Sequence, residues 1–293
     1  MPPAGHDDAA AFAPPPWPAW LEAARVADGR VAAAYEATPP HFRAALKTGL
    51  ALAHFHFGES ASRRDETNAS ARLGFQRASS CVPAPWALLI LSPAYAAAAR
   101  LTAACAAARL AGVPHVAALC PGEAPQQAAL VSLELSGVED IFSPAADRVP
   151  ALLHELADLP GPRGRIVLLH AGLHDGDLDD MAQGIRARGI PCYEERRPPR
   201  LRVEDGAHID REVLAFAHGG KRALEAALAA SGLADAVYRP AGVELMPAPD
   251  APLTLAPCCE GFWLHPGLTP EFFTVSRLAF APWPYRDSAP DAS

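Results

Sequence analysis

The stretch that decides the fold runs from Trp86 to Phe142: WALLILSPAYAAAARLTAACAAARLAGVPHVAALCPGEAPQQAALVSLELSGVEDIF. WALLILS lacks polar alternation, and a strand of that kind needs both faces covered, as in a parallel sheet flanked by helices. Pro93 follows, and an Ala-rich helix is predicted through Leu110, stopped by Gly112. His115 to Cys120 forms a second apolar strand, and Pro121-Gly122 turns the chain. A helix then starts at Pro125 or Gln126 and ends at Gly137, and Glu139 to Phe142 is a third short strand.

The same rhythm continues outward. Asp147 to Asp158 reads as a helix, Arg165 to His170 as a strand, Leu178 to Arg188 as a helix and Ile190 to Glu194 as a fifth strand. The segments AGVPHVAAL, SGVEDIF and RGIPCYE repeat one unit, a glycine at a helix C-cap followed by a strand. The fold class expected is α/β, a Rossmann-like parallel sheet of about five strands with flanking helices. N-terminal helices precede it, and a smaller, irregular α/β part follows. Right-handed crossovers would gather the strand C-terminal ends on one edge, where ligands bind in such sheets.

This divides the chain into a tail over 1–16, helices and a connection over 17–85, the α/β unit over 86–195, and a C-terminal α/β segment with an aromatic tail over 196–293. Apolar residues at helical spacing fill Pro18 to Phe57, with Thr38 as the expected N-cap of the second helix there. Glu59 to Ser80 is polar and reads as an exposed connection. Beyond Arg200, helices are predicted over Asp210 to Ala217 and Arg222 to Ser231. Strands are predicted over Ala236 to Arg239 and Val243 to Met246, and Pro247 to Pro257 reads as loop. The aromatic run GFWLHPGLTPEFFTVSRLAFAPWPY is expected to pack back on the core.

Composition narrows the function classes. The 293 residues are 50% hydrophobic and carry a net charge of −8. No basic stripe follows a predicted helix, which argues against nucleic acid as a partner. Ala96 to Val113 has the length of a membrane span, but Arg100 and Arg109 interrupt it, so a buried helix and no membrane partner are expected. Asp7 and Asp8, with no basic stretch before an apolar block, are unlike a secretory signal. None of the six cysteines makes a C-x-x-C pair, which fits small buried thiols in a reduced, cytoplasmic protein.

Several residues could carry chemistry. Ser92 and Tyr95 sit in the turn after the first central strand and could contact a nucleotide at a helix N-terminus; the alternative is an ordinary cap. Cys120, Gly122 and Glu123 follow the second strand, where a thiol before a helix could act as a nucleophile or simply pack. HAGLHDGDLDD, His170 to Asp180, is the densest group of metal-ligand types. His170, His174 and Asp175 could hold a divalent ion; otherwise the aspartates charge the next helix's N-terminus. His54 and His56 lie on different faces of one helix, and Cys258-Cys259 are adjacent, so neither pair suits chelation. His265 could reach a pocket from the C-terminal segment. Arg196, Arg197, Arg200 and Arg202 could hold an anion or line a solvated loop. Glycine-rich phosphate loops and the familiar hydrolase and kinase motifs are absent.

The central block resembles the first nucleotide-binding-type domain of histidinol dehydrogenases. The likeness is carried by Ala111-Gly112-Val113, Leu119-Cys120-Pro121-Gly122, Ser136-Gly137-Val138 and Glu139-Asp140-Ile141-Phe142. AALKTGLALAHFHFG resembles the helix preceding that domain in the family. About a third of the chain is covered, and aldehyde-dehydrogenase-like folds share the pattern. The family's GPSE and Q-x-E-H segments and its Glu-His pair are missing, so no catalytic or zinc residue carries over. The resemblance implies an NAD-dependent oxidoreductase if the chain is an enzyme; independently of the family, the position of His170 at the strand C-terminal edge makes it the candidate base, with Cys120 beside it. Ser92, Tyr95, Gly122 and Glu123 would then line the nucleotide, a small-molecule ligand is expected, and a homodimer is the expected assembly. The rivals are a non-catalytic binding protein on a degenerate dehydrogenase scaffold and a metal-dependent hydrolase using His170 and His174.

Overall fold

A computed structural model describes residues 15–58, 64–170, 176–195, 197–242 and 246–282. Its centre is a five-stranded sheet made of β3 (Trp86–Leu91), β4 (His115–Leu119), β5 (Asp140–Phe142), β6 (Arg165–Leu169) and β7 (Cys192–Glu194). The order across it is β5-β4-β3-β6-β7, and every pairing is parallel. The chain therefore builds outward from β3 to β5, then crosses back to lay β6 on the other side of β3. Such a reversal opens a crevice at the C-terminal ends of the two central strands.

Side-chain alternation splits the core into two layers. Leu89, Leu91, Val116, Ala118, Val167 and Leu169 face α3 (Ala98–Leu110) and α4 (Gln127–Leu135). Leu88, Ile90, Ala117, Leu119, Ile166 and Leu168 face α5 (Val149–Asp158) and α6 (Gly176–Ala187). Both faces are thus covered, which is why these strands carry no polar alternation. Helix α3 is buried almost all round, including Arg100, while Arg109 reaches out to the Gly137 carbonyl. An Ala-rich helix with no polar face suits that position, since it lies between the sheet and a further layer.

That further layer consists of α1 (Asp28–Ala37), α2 (Pro40–Phe57), α7 (Arg211–Ala217), α8 (Lys221–Ala229) and the segment around Gly261 to Phe273. Its closest approach joins Gly49 of α2 to Gly261: a Cβ on either glycine would land on the other segment's backbone. Phe262, Trp263, Leu268 and Phe273 are buried, so the aromatic run does pack on the core. A small parallel sheet, ordered β10-β9-β8, joins β8 (Leu201–Val203), β9 (Ala236–Tyr238) and β10 (Leu253–Leu255).

Four local expectations are corrected. The polar stretch read as a connection contains β1 (Arg64–Ser70) and β2 (Phe75–Pro83), which form an antiparallel arm with β11 (Thr274–Pro282). The arm is largely exposed on both faces, so burial imposed no alternation to read. Pro247 to Pro257 contains β10, whose three residues are too short to show a period. Met246 lies outside any strand, and 243–245 are outside the described residues. Thr38 ends α1, its hydroxyl donating to the Ala34 carbonyl at 2.8 Å, while Pro39 occupies the N-cap of α2.

Candidate functional site at the strand C-terminal rim

The parallel register sets Cys120, Ser92 and His170 side by side, each following the last residue of its strand. The Ser92 amide donates to the Leu169 carbonyl at 2.9 Å, tying the β3 turn to the end of β6. The Cys120 sulfur lies 4.0 Å from the Ser92 carbonyl oxygen. Cys120 is buried, and burial, reinforced by Glu123, pushes its thiol up to about 11, so it is protonated at neutral pH. His170 is buried, and its Nδ1 has no hydrogen-bond partner among the described residues. His174 and Asp175 lie outside the described residues.

Gly122 and Glu123 are exposed on the same rim. Gly122 has φ +77°, a left-handed conformation that favours glycine, and its amide donates to the Pro144 carbonyl at 2.7 Å. The Ser143 hydroxyl lies within hydrogen-bond reach of the Cys120 and Glu123 carbonyls, at 3.1 and 2.6 Å. The β4 turn is therefore held shut by the segment after β5.

Tyr95 behaves differently. It turns inward to a second group of polar residues that sequence reading did not assemble. Arg100, in the first turn of α3, pairs with Glu195, which follows β7, at 2.7 Å. The Arg100 guanidinium lies 5.5 Å from the Tyr95 ring centre. His265 Nε2 lies 2.7 Å from the Arg100 carbonyl, and its Nδ1 is 3.8 Å from Glu195 Oε1. Trp263 stands edge-on to His265 and to His218, at 6.4 and 5.3 Å between ring centres. His218 ends α7, and Gly219 beyond it packs on Ala97 at the start of α3. The first turn of α3 is consequently covered, not open to ligand.

Burial, followed by the nearby charge of Arg100 and the proximity of His265, pushes His218 down to about 3. Burial also holds His265 below its ordinary value, and it raises the Tyr95 hydroxyl well above its usual range, Glu195 adding to the effect. Of this group, the sequence singled out Tyr95 and His265. Arg100 carried only the signal of a charge inside an apolar helix, which predicts a buried partner without naming it.

Two residues of the basic cluster after β7 are spent within the chain, and Arg196 lies outside the described residues. Arg197 binds Asp235 through two hydrogen bonds, at 2.6 and 2.8 Å, and Arg202 is held by both carboxylate oxygens of Asp250. Among the described residues no three His, Cys, Asp or Glu side chains are gathered as a metal site, and no helix is long and apolar enough to cross a membrane.

No family model and no curated protein matches the sequence. The fold is similar to the crystal structure of histidinol dehydrogenase from Elizabethkingia anophelis, with a TM-score of 0.55 and 10% identity, over 88% of this chain and 76% of that one. Weaker likenesses reach a salicylaldehyde dehydrogenase from Pseudomonas putida G7 (TM-score 0.34, 15% identity, 66% of this chain) and substrate-bound AldH from Staphylococcus aureus (TM-score 0.39, 13% identity, 72% of this chain). This chain spans 46% of each of those two proteins. The likeness to the histidinol dehydrogenase structure is one of fold, and an identity of 10% speaks for fold alone.

Proposed function

We propose that the chain binds a small metabolite at the C-terminal rim of its sheet, and that its reaction class, if it is catalytic, is nicotinamide-dependent oxidoreduction. The observation that carries this reading is His170. It is buried at the crossover between β3 and β6, its Nδ1 has no hydrogen-bond partner among the described residues, and Ser92 and Cys120 stand beside it. A buried ring nitrogen left unmatched is costly unless something meets it.

A nicotinamide nucleotide fits this rim only in part. Gly122 and Glu123 are exposed, and Glu123 could accept hydrogen bonds from a ribose. The first-turn amides of α3, where a doubly wound fold usually seats a pyrophosphate, lie under the His218–Gly219 loop and His265. Ser92 and Tyr95 therefore support the nucleotide less than Gly122 and Glu123 do. Calorimetry with NAD+ and NADH on the full chain tests the proposal. Saturable binding that His170→Gln weakens supports it, and no heat at millimolar nucleotide overturns it. The covered α3 terminus favours a second reading, a non-catalytic binder on the same scaffold, for which a metabolite would bind without nucleotide turnover. A divalent ion at His170 with His174 and Asp175 is the third arrangement to assay, by metal content before and after His170→Ala.

A further inference from the structure

The geometry points to a second, interior ligand site: Tyr95, Arg100, Glu195, His218, Trp263 and His265 form a buried polar cluster whose unmatched atoms suit a small uncharged hydroxy-carbonyl or polyol compound.

All six residues are more than nine-tenths buried. Their atoms without a well-formed hydrogen bond are Tyr95 Oη, Arg100 Nε, Glu195 Oε2, Trp263 Nε1 and both ring nitrogens of His218. The Tyr95 hydroxyl and Glu195 interact as a loose hydrogen-bonded pair, so Arg100 Nε, Trp263 Nε1 and the His218 nitrogens are the atoms left without any partner among the described residues. Native interiors rarely leave one such atom unmatched, and here they converge from the β3 turn, α3, the end of β7, the end of α7 and the C-terminal segment. Folding alone does not call for them, because an apolar cluster would fill the same space at lower cost.

The hydrogen-bond inventory states what fits. Arg100 Nε and Trp263 Nε1 can only donate, and Glu195 Oε2 accepts. A carbonyl oxygen can only accept, so the His265 nitrogen beside the Arg100 carbonyl must carry hydrogen. In the neutral ring Nδ1 is then an acceptor facing Glu195 Oε1 at 3.8 Å, too far for a direct bond. A neutral His218 offers one donor and one acceptor. The occupant must therefore both give and receive hydrogen bonds, as hydroxyl and carbonyl groups together do.

Charge excludes ions. Arg100 and Glu195 neutralise one another at 2.7 Å, and burial keeps both histidines uncharged near neutral pH. A carboxylate or ammonium would bring an unbalanced charge into a low-dielectric interior. This site goes beyond the rim proposal and needs no nucleotide, so each stands or falls alone.

The test is a titration of the full chain, labelled with nitrogen-15 at histidine, with dihydroxyacetone, glycerol, lactate and ethanolamine, in the absence of nucleotide. Dihydroxyacetone or glycerol should shift the His218 and His265 ring signals saturably, while lactate and ethanolamine leave them in place. Trp263→Phe keeps a ring and removes one donor, and should weaken the response about tenfold, the loss of one buried hydrogen bond. His218→Phe identifies its signal and should abolish binding. Unmoved signals with both uncharged probes would mean that internal water satisfies the cluster, and they overturn the proposal. So would an equal response to lactate, or a titration that neither variant changes. If the variants do not fold, the wild-type comparison of charged with uncharged probes decides alone.

Discussion

The Arg100 guanidinium and the Glu195 carboxylate meet at 2.7 Å with side chains only 4% and 7% exposed, joining the start of α3 to the end of β7. A pair so placed is expensive to desolvate but far more expensive to break, because the survivor keeps its charge without water or partner. Glu195→Ala should lower unfolding free energy by roughly 3–5 kcal/mol, read from urea denaturation. Replacing both partners together, as Arg100→Met with Glu195→Leu, should recover most of that loss. If the double variant proves no more stable than the single one, the pair is not the source of the cost.

His218 gives the protein an acid-sensitive limb. Its ordinary value of 6.5 falls to about 3 on folding, through burial first and then the charge of Arg100 and the proximity of His265. Between those values the unfolded chain binds a proton that the folded chain does not, so stability falls as pH drops from about 6.5 toward 3. The slope should approach about 1.4 kcal/mol per pH unit in the middle of the window. Denaturation midpoints measured at several pH values should show it in the wild type and a flatter profile in His218→Phe. Identical profiles would place the acid sensitivity elsewhere.

The cysteines should separate by reactivity. Burial pushes Cys105 and Cys192 to about 12 and Cys120 to about 11, whereas Cys258 is exposed in a turn at φ +72°. Reaction depends on access and on thiolate, so Cys258 should label first with a disulfide reagent under native conditions. Cys258→Ser should remove the fastest phase, and Cys120→Ser should leave it unchanged. Fast labelling of Cys120 would instead show a rim more open than its burial indicates.

How much of this was legible follows from where the signal resides. In the central sheet, β3, β4 and β6 announce themselves as short apolar runs buried on both faces, and β4, β5 and β7 each follow a glycine that ends the preceding helix. The arm does not, since Ser276 meets Cys81 across 195 positions and its strands bury neither face fully. Cys120, Ser92 and His170 could be placed together because strand ends in a parallel sheet share an edge. The inner polar cluster could not, because residues 95, 100, 195, 218, 263 and 265 are joined by helix packing and not by spacing. Arg100 marks the difference: its burial follows from the apolar helix around it, but its partner comes from the far end of the domain.

Gly49 shows how closely the covering layer is set. Any side chain there meets the backbone at Gly261, two residues before Trp263. Gly49→Ala should therefore cost about 1–3 kcal/mol by overpacking, despite the helix propensity it gains. It should also disturb the His265 ring signal, since the segment carrying Trp263 and His265 must shift. A stable Gly49→Ala protein with unchanged histidine spectra would show that α2 and this segment can part without consequence.

The antiparallel arm suggests how a second copy of the chain would attach. In the β2–β11 register Phe75, Leu278 and Phe280 fall on one face of the arm, and they are 59%, 61% and 69% exposed. The outer edges of β1 and β11 also carry no further strand among the described residues. Exposed apolar side chains beside open edges favour pairing with another chain. Sedimentation velocity should therefore find a dimer, and Leu278→Asp with Phe280→Asp should convert it to monomer by placing charge on that face. Because neither side chain supports the core, the melting temperature of the monomer's α/β unit should change little. A wild type that sediments as a monomer at high concentration, or a dimer indifferent to both aspartates, would remove the arm as the contact.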